Sequence, residues 1–272
     1  MAAKTVETVC FGSDKGGVGK SLAASLWIAR HQLANGGELP VIIEVEARPR
    51  LAKVFGADKV RHFAANRHAP EELEASPSLI YEVWDGVAGV VRQARSPVVI
   101  DLGANLTKAF AAYLAEQGEH SPWGTGGGFT FHAVATGEPN AAEAARDALH
   151  YMGQALPASA RWLVVNGRDE RFLPLDLDSQ AVRSIVAEMK AAGALKVPAC
   201  TSQAFSAVVD RHMPLLDAVK VEPAAWEEDC GIPFDTAARA ARRLAVFLRD
   251  GVRAFDPAAG PAAGPPDHAA PA

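Results

Sequence analysis

The stretch Gly12-Ser13-Asp14-Lys15-Gly16-Gly17-Val18-Gly19-Lys20-Ser21 brings glycines, two lysines and a hydroxyl together at a spacing suited to holding phosphate. Glycines at 16, 17 and 19 let the backbone turn tightly and present bare N–H groups to phosphate oxygens. A helix starting behind them adds unsatisfied donors and a partial positive charge. Lys20 then reaches the terminal phosphates, and the Ser21 hydroxyl is placed to ligate a magnesium ion. The first glycine of the general pattern G-x-x-x-x-G-K-[ST] is replaced by Asp14, and an additional lysine, Lys15, opens the loop. Asp101 closes the apolar run Val98-Val99-Ile100 and is positioned to hold magnesium directly or through water. Glu44 and Glu46 follow a similar run, Val41-Ile42-Ile43.

These groups meet only if the elements that carry them end on one side of a sheet. Residues 5–11 predict a first strand and residues 20–34 a helix, with Leu22, Leu26, Ala29 and Leu33 as its core-facing stripe. Asn35-Gly36-Gly37 stops that helix. Residues 40–43 predict a buried strand, and residues 57–78 a short strand with irregular surface structure. A helix over 79–95 carries Ile80, Val83, Trp84, Val87, Val90 and Val91 on one side, and a strand over 96–101 follows it. Asn105 is expected to cap the next helix, which runs to about Gln117. Beyond a glycine-rich loop at 118–128 come a strand over 129–136, a helix over 139–152 and a strand over 161–166. A helix over 179–192, a short strand ending at Val197-Pro198, a helix near 203–212 and a last helix over 239–255 complete the series. Strands alternating with helices predict a three-layer, doubly wound α/β fold, its mostly parallel sheet covered by helices on both faces. The phosphate site then lies at the carboxyl ends of the strands. One domain over 1–255 is expected, followed by a Pro/Ala/Gly-rich disordered tail over 256–272.

The heptad Lys15-Gly16-Gly17-Val18-Gly19-Lys20-Ser21 resembles the deviant Walker A loop of the ParA/MinD P-loop ATPases. The resemblance implies binding of ATP with Mg2+ and a homodimer closed by nucleotide, with Lys15 reaching the phosphates of the other subunit. It implies a nucleotide contact along the whole loop, from Lys15 to Ser21. Leu22 stands where relatives often carry a second hydroxyl that touches phosphate. Asp101 is similar to the Walker B aspartate of the family, and Gly103 to a residue whose N–H meets the terminal phosphate. Glu44 and Glu46 occupy the place of the usual Asp-x-Asp, which supports magnesium and orients the attacking water. Here both acids are one methylene longer, and a displacement of about 1 Å costs roughly a hundredfold in rate. Asn166 resembles the asparagine that reads adenine, and Pro198 with its neighbours the segment that flanks the base. A narrower likeness is to the TraL-type ATPases of conjugal transfer. It rests on residues 99–105, on Ala112-Tyr113-Leu114 and on the run from His132 to Gly137. The implied functions are a positioning, partition or plasmid-transfer switch, or an ATP-binding adaptor that hydrolyses little and recruits a partner protein.

Composition is that of an ordinary globular protein, with 49% hydrophobic and 22% charged residues. A net charge of −5 over 272 residues gives no global attraction to nucleic acid or anionic membrane, so such a partner needs a local patch. The best candidate is the arginine run at Arg239, Arg242 and Arg243, continued by Arg249 and Arg253, with Leu244, Phe247 and Leu248 turned inward. Non-specific contact with DNA phosphates is the expectation there. Cys10, Cys200 and Cys230 are far apart and show no C-x-x-C, which argues against a disulfide framework or zinc site and for reduced cytoplasmic thiols. The eight histidines show no metal-ligand spacing. The chain enters a strand almost at once, so no signal peptide is expected, and no apolar run spans a bilayer.

Overall fold

In the computed structural model, which describes residues 6–65, 79–124, 126, 128–167 and 176–256, strands and helices alternate along the chain. The strands are β1 (Thr8–Gly12), β2 (Val41–Val45), β3 (Val60–Phe63), β4 (Val98–Leu102), β5 (Phe129–Ala135), β6 (Ala160–Asn166) and β7 (Gly193–Val197). They form a sheet in the order β3-β2-β4-β1-β5-β6-β7, and every neighbouring pair is parallel. The glycine-rich loop leaves the central strand, and Asp101 leaves the strand beside it, with Phe11 in register with Asp101. Glu44 in turn pairs with Asp101 from the far side of β4.

Alternation along each strand divides the core in two. Val9, Phe11, Ile42, Val99, Val134, Val164 and Val197 face one layer of helices. That layer holds α1 (Lys20–Ala34), the short α2 (Leu51–Phe55), α7 (Phe205–Asp210), α8 (Leu215–Ala218), α9 (Pro223–Cys230) and α10 (Phe234–Ala254). Cys10, Ile43, Ile100, Phe131 and Leu163 face the other layer. It comprises α3 (Leu79–Gln93), α4 (Thr107–Gln117), α5 (Pro139–Ala155) and α6 (Gln180–Glu188). The fold is a three-layer, doubly wound α/β sandwich, as the alternation of elements implies.

Several local expectations are corrected. Leu33 is 61% exposed, in a surface groove beside Leu216, Leu248 and Val252; Leu26 and Ala29 of the same stripe are buried. Asn105 adopts φ 62° and does not cap α4, whose N-cap is Leu106. The carboxylate of Asp14 does that work instead, accepting from the Thr107 N–H at 3.0 Å. The last helix begins at Phe234, directly after Pro233, rather than at Arg239. Between Met213 and Cys230 the sequence shows no clear period, yet two short helices form there and fully bury Trp226. The glycine-rich segment sends Trp123 into the core, where its indole N–H donates to the Thr8 hydroxyl at 3.0 Å. Residues 66–78 and the expected tail at 257–272 lie outside the described residues.

Candidate functional site

The loop from Gly12 to Ser21 is held open by backbone geometry. Gly17 and Gly19 adopt φ 80° and 93°, in the region where side chains are disfavoured. Gly19 is also crowded: a Cβ there would lie 2.1 Å from the Asn166 amide nitrogen. Helix α1 starts at Lys20 with no side-chain cap and no acid in its first turn, so its first N–H groups face the loop's concave side. Lys20 is nearly buried, and its ammonium donates to the Lys15 carbonyl at 3.0 Å. Burial lowers the Lys20 pKa, opposed first by the charge of Asp101 and then by that of Glu46. Lys15 turns away from this group and pairs with Glu138, immediately before α5, at 2.9 Å.

Asp101 is buried under the loop. Desolvation raises its pKa to about 7, with the Glu44 and Glu46 charges adding to the rise. A hydrogen bond from Ser21 and the charge of Lys20 oppose it. One Asp101 oxygen, Oδ1, is buried without a hydrogen-bond partner. An acid oxygen left free beside a hydroxyl fits a hydrated magnesium ion, so Ser21 and Asp101 are suited as its holders.

The two glutamates take different positions. Glu44 is fully buried, and its carboxylate accepts from three backbone N–H groups, those of Arg50, Leu51 at 2.8 Å and Ala52 at 3.2 Å. It is the anionic cap of α2, which has no cap of its own at Arg50. Glu46 is only partly buried; it accepts from the Ala47 N–H at 3.0 Å and lies over Gly103, whose added Cβ would meet the carboxylate at 2.9 Å. Gly103 itself is a correction: its N–H donates to the Val45 carbonyl at 2.7 Å and does not point to the loop.

Asn166 ends β6 and is buried, its amide donating to the Val18 carbonyl at 2.9 Å. As placed, its NH2 group fastens the loop's backbone, while its Oδ1 is buried without a hydrogen-bond partner. Pro198 lies farther out, in the wall of a pocket shared with α10, where Arg239, Arg242 and Arg243 also project. Leu22 packs partly buried against the α1-side core. Two contributors escaped the sequence reading: Asp14, which tethers the loop to α4, and Glu138, which holds Lys15. Asp14 stands at the loop's one departure from the general pattern, and that departure was the available signal. Beneath the loop, His132 of β5 stacks on Phe11 at 4.8 Å, and Phe255 meets both rings edge-on. Among the described residues no cluster of three or more His, Cys, Asp or Glu is arranged to hold a metal ion, and no helix is long and apolar enough to cross a membrane.

The chain is thus an all-parallel α/β protein whose glycine-rich loop lies between its central strand and first helix. No protein-family model matches it, and no curated protein matches it. Among solved structures it is similar to a Cyanothece McdA variant in complex with ATP, at a TM-score of 0.42 and 12% identity over 88% of this chain and 97% of that one. A likeness of that size adds nothing to what the topology shows, and it gives no support to the narrower likeness to conjugal-transfer ATPases.

Proposed function

We propose that the chain is an ATP-binding switch, in which nucleotide with Mg2+ occupies the loop from Lys15 to Ser21. The observation that carries this reading is the convergence of the uncapped start of α1, the buried Lys20 and the free oxygen of Asp101 on one loop with positive φ at Gly17 and Gly19. Lys20 exchanges the Lys15 carbonyl for phosphate oxygens when nucleotide enters. Ser21 and Asp101 hold magnesium, which neutralises charge on the phosphates. Lys15 is not needed to close the loop on phosphate within one subunit. Released from Glu138, it is free to cross to a second copy, so that nucleotide drives dimerisation and hydrolysis reverses it. Such a cycle suits a positioning, partition or plasmid-transfer switch working with a protein partner. Calorimetry of ATP and magnesium binding to wild type and Lys20→Ala tests the reading; equal affinity in the two overturns it.

A second reading, an adaptor that closes on ATP but hydrolyses it little, is favoured by the position of Glu44. With Glu44 committed to capping α2, Glu46 is the remaining acid of the pair able to orient water. It reaches over Gly103 with a side chain longer than aspartate. Steady-state phosphate release by wild type beside Glu46→Asp separates the two. A large gain in the variant favours the adaptor, and a loss favours the hydrolysing switch with Glu46 as its water-orienting acid.

A further inference from the structure

The turn between β2 and α2 brings a further cation, Arg50, to the edge of the phosphate loop. Both ends of that turn are tied. The Arg50 N–H donates to Oε1 of Glu44, which is fully buried and stands in register with Asp101 on the neighbouring strand. At the other end the Glu46 N–H donates to the Phe63 carbonyl at 3.2 Å, and His62 Nε2 donates to the Glu46 carbonyl at 2.9 Å. The Glu46 carboxylate lies over Gly103, two residues beyond Asp101.

The Arg50 side chain is left free by these bonds. Its guanidinium is exposed and, among the described residues, makes no hydrogen bond or ion pair. It lies near enough to Lys20 to be felt there. Burial lowers the Lys20 pKa most, and the charge of Arg50 lowers it further, against Asp101, Glu46 and Asp14. Arg48, also exposed on the same turn, is not among the charges that act on Lys20. Two cations gathered at one loop repel, and a phosphate between them removes the repulsion. The sheet order β2-β4-β1 sets which phosphate that is. A phosphate chain that starts in the loop after β1 and passes Asp101 on β4 turns its outermost group towards β2 and Arg50.

Resting on the ATP reading of the loop, we propose that Arg50 reads the third phosphate and so makes the site distinguish ATP from ADP. The loop's backbone N–H groups hold the inner phosphates whichever nucleotide is bound. The Arg50 fork donates only to the oxygens that ATP adds, in the paired geometry that guanidinium and phosphate share.

The test is calorimetric titration of ADP and of a non-hydrolysable ATP analogue, each with magnesium, into Lys15→Ala protein. Removing Lys15 keeps nucleotide-driven dimerisation out of the affinities. The ATP analogue is expected to bind more tightly than ADP. Adding Arg50→Ala should weaken the analogue about tenfold or more and leave ADP within about threefold. Arg50→Lys keeps the charge but loses the fork, and should fall between. Arg48→Ala removes the same charge from the same turn and should leave the ratio unchanged. Thermal unfolding should not move in Arg50→Ala, because Glu44 holds the backbone N–H and not the side chain. A parent protein without preference for the ATP analogue overturns the proposal, as does an Arg50→Ala variant that keeps the ratio or loses both nucleotides equally. The same loss of preference in Arg48→Ala also overturns it, since the effect is then one of general charge. A parent that binds neither nucleotide overturns the loop reading itself. Binding abolished by Lys20→Ala but indifferent to Arg50→Ala overturns the role of Arg50 alone.

Discussion

The assignment of Glu44 to capping is open to direct measurement through Glu44→Gln. Glutamine keeps the shape but replaces one acceptor oxygen with an NH2 group and removes the charge. If the amide oxygen keeps the bonds from Arg50 and Leu51, the NH2 faces the Ala52 N–H, a donor against a donor. An unmatched buried backbone donor costs about 1–3 kcal/mol. Loss of the negative charge at a helix start adds roughly 0.3–1 kcal/mol. The expected destabilisation is about 1–4 kcal/mol, read as a lower urea midpoint at unchanged slope. Glu44→Ala, which strips the cap from all three donors, should cost more. Nucleotide affinity and phosphate release per folded molecule should stay within a few-fold of wild type in Glu44→Gln. A variant as stable as wild type, with phosphate release abolished, would show Glu44 to be a reacting group and refute the capping argument.

Three further outcomes are expected. Glu138→Gln should raise nucleotide-driven dimerisation by no more than about fivefold in light scattering, because a half-exposed ion pair is worth up to about 1 kcal/mol, whereas Lys15→Ala should abolish it. Gly19→Ala places a side chain at φ 93° against Asn166, and strain of about 1–3 kcal/mol with loss of the Asn166–Val18 bond should weaken ATP binding at least about tenfold; unchanged affinity would mean that the loop does not need this geometry. His132, buried and held neutral with its pKa lowered to about 3, takes up a proton near pH 6.5 only on unfolding, so stability falls as pH drops from about 6.5 towards 3. At pH 5 that linkage amounts to about 2 kcal/mol, and His132→Gln should remove it from the difference between urea unfolding at pH 7.5 and pH 5; a variant with the same pH dependence as wild type would exclude His132 as its source.

The loop was legible because glycines at 16, 17 and 19, followed by Lys-Ser, leave few other uses for the stretch. The parallel sheet was legible because apolar runs alternate with helical periods. The division of labour between Glu44 and Glu46 was not, since it depends on residues 50–52 turning into a five-residue helix too short to show a period. Asn105 looked like a cap because asparagine usually is one, but Asp14 reaches α4 from the loop and leaves Asn105 in a left-handed turn. At Asn166 the sequence shows an amide at a strand end, and only tertiary packing shows that its NH2 group fastens Val18 while its Oδ1 is left without a partner. Leu33 keeps the helical period of its neighbours, and only the tertiary placement of Leu216 and α10 beside it leaves it at the surface.

The central place of β1 has a consequence for how the chain is made. Thr8 pairs with Val98 on one side and with Phe129 on the other, and Phe11 is covered by Phe255 at the end of α10. At about 5–20 residues per second, a ribosome needs roughly 6–25 s after making β1 to produce both of its neighbours. Until β4 emerges the apolar run Thr8-Val9-Cys10-Phe11 has no ladder partner, and until β5 emerges it has only one. Partners so distant in sequence also make for slow folding once synthesis ends. The short edge pair of β2 and β3, close in sequence, can form well before then. The strand that emerges first is therefore among the last to be enclosed, and the phosphate loop attached to it gains its anchors, Thr107 and Asn166, only once α4 and β6 have been made.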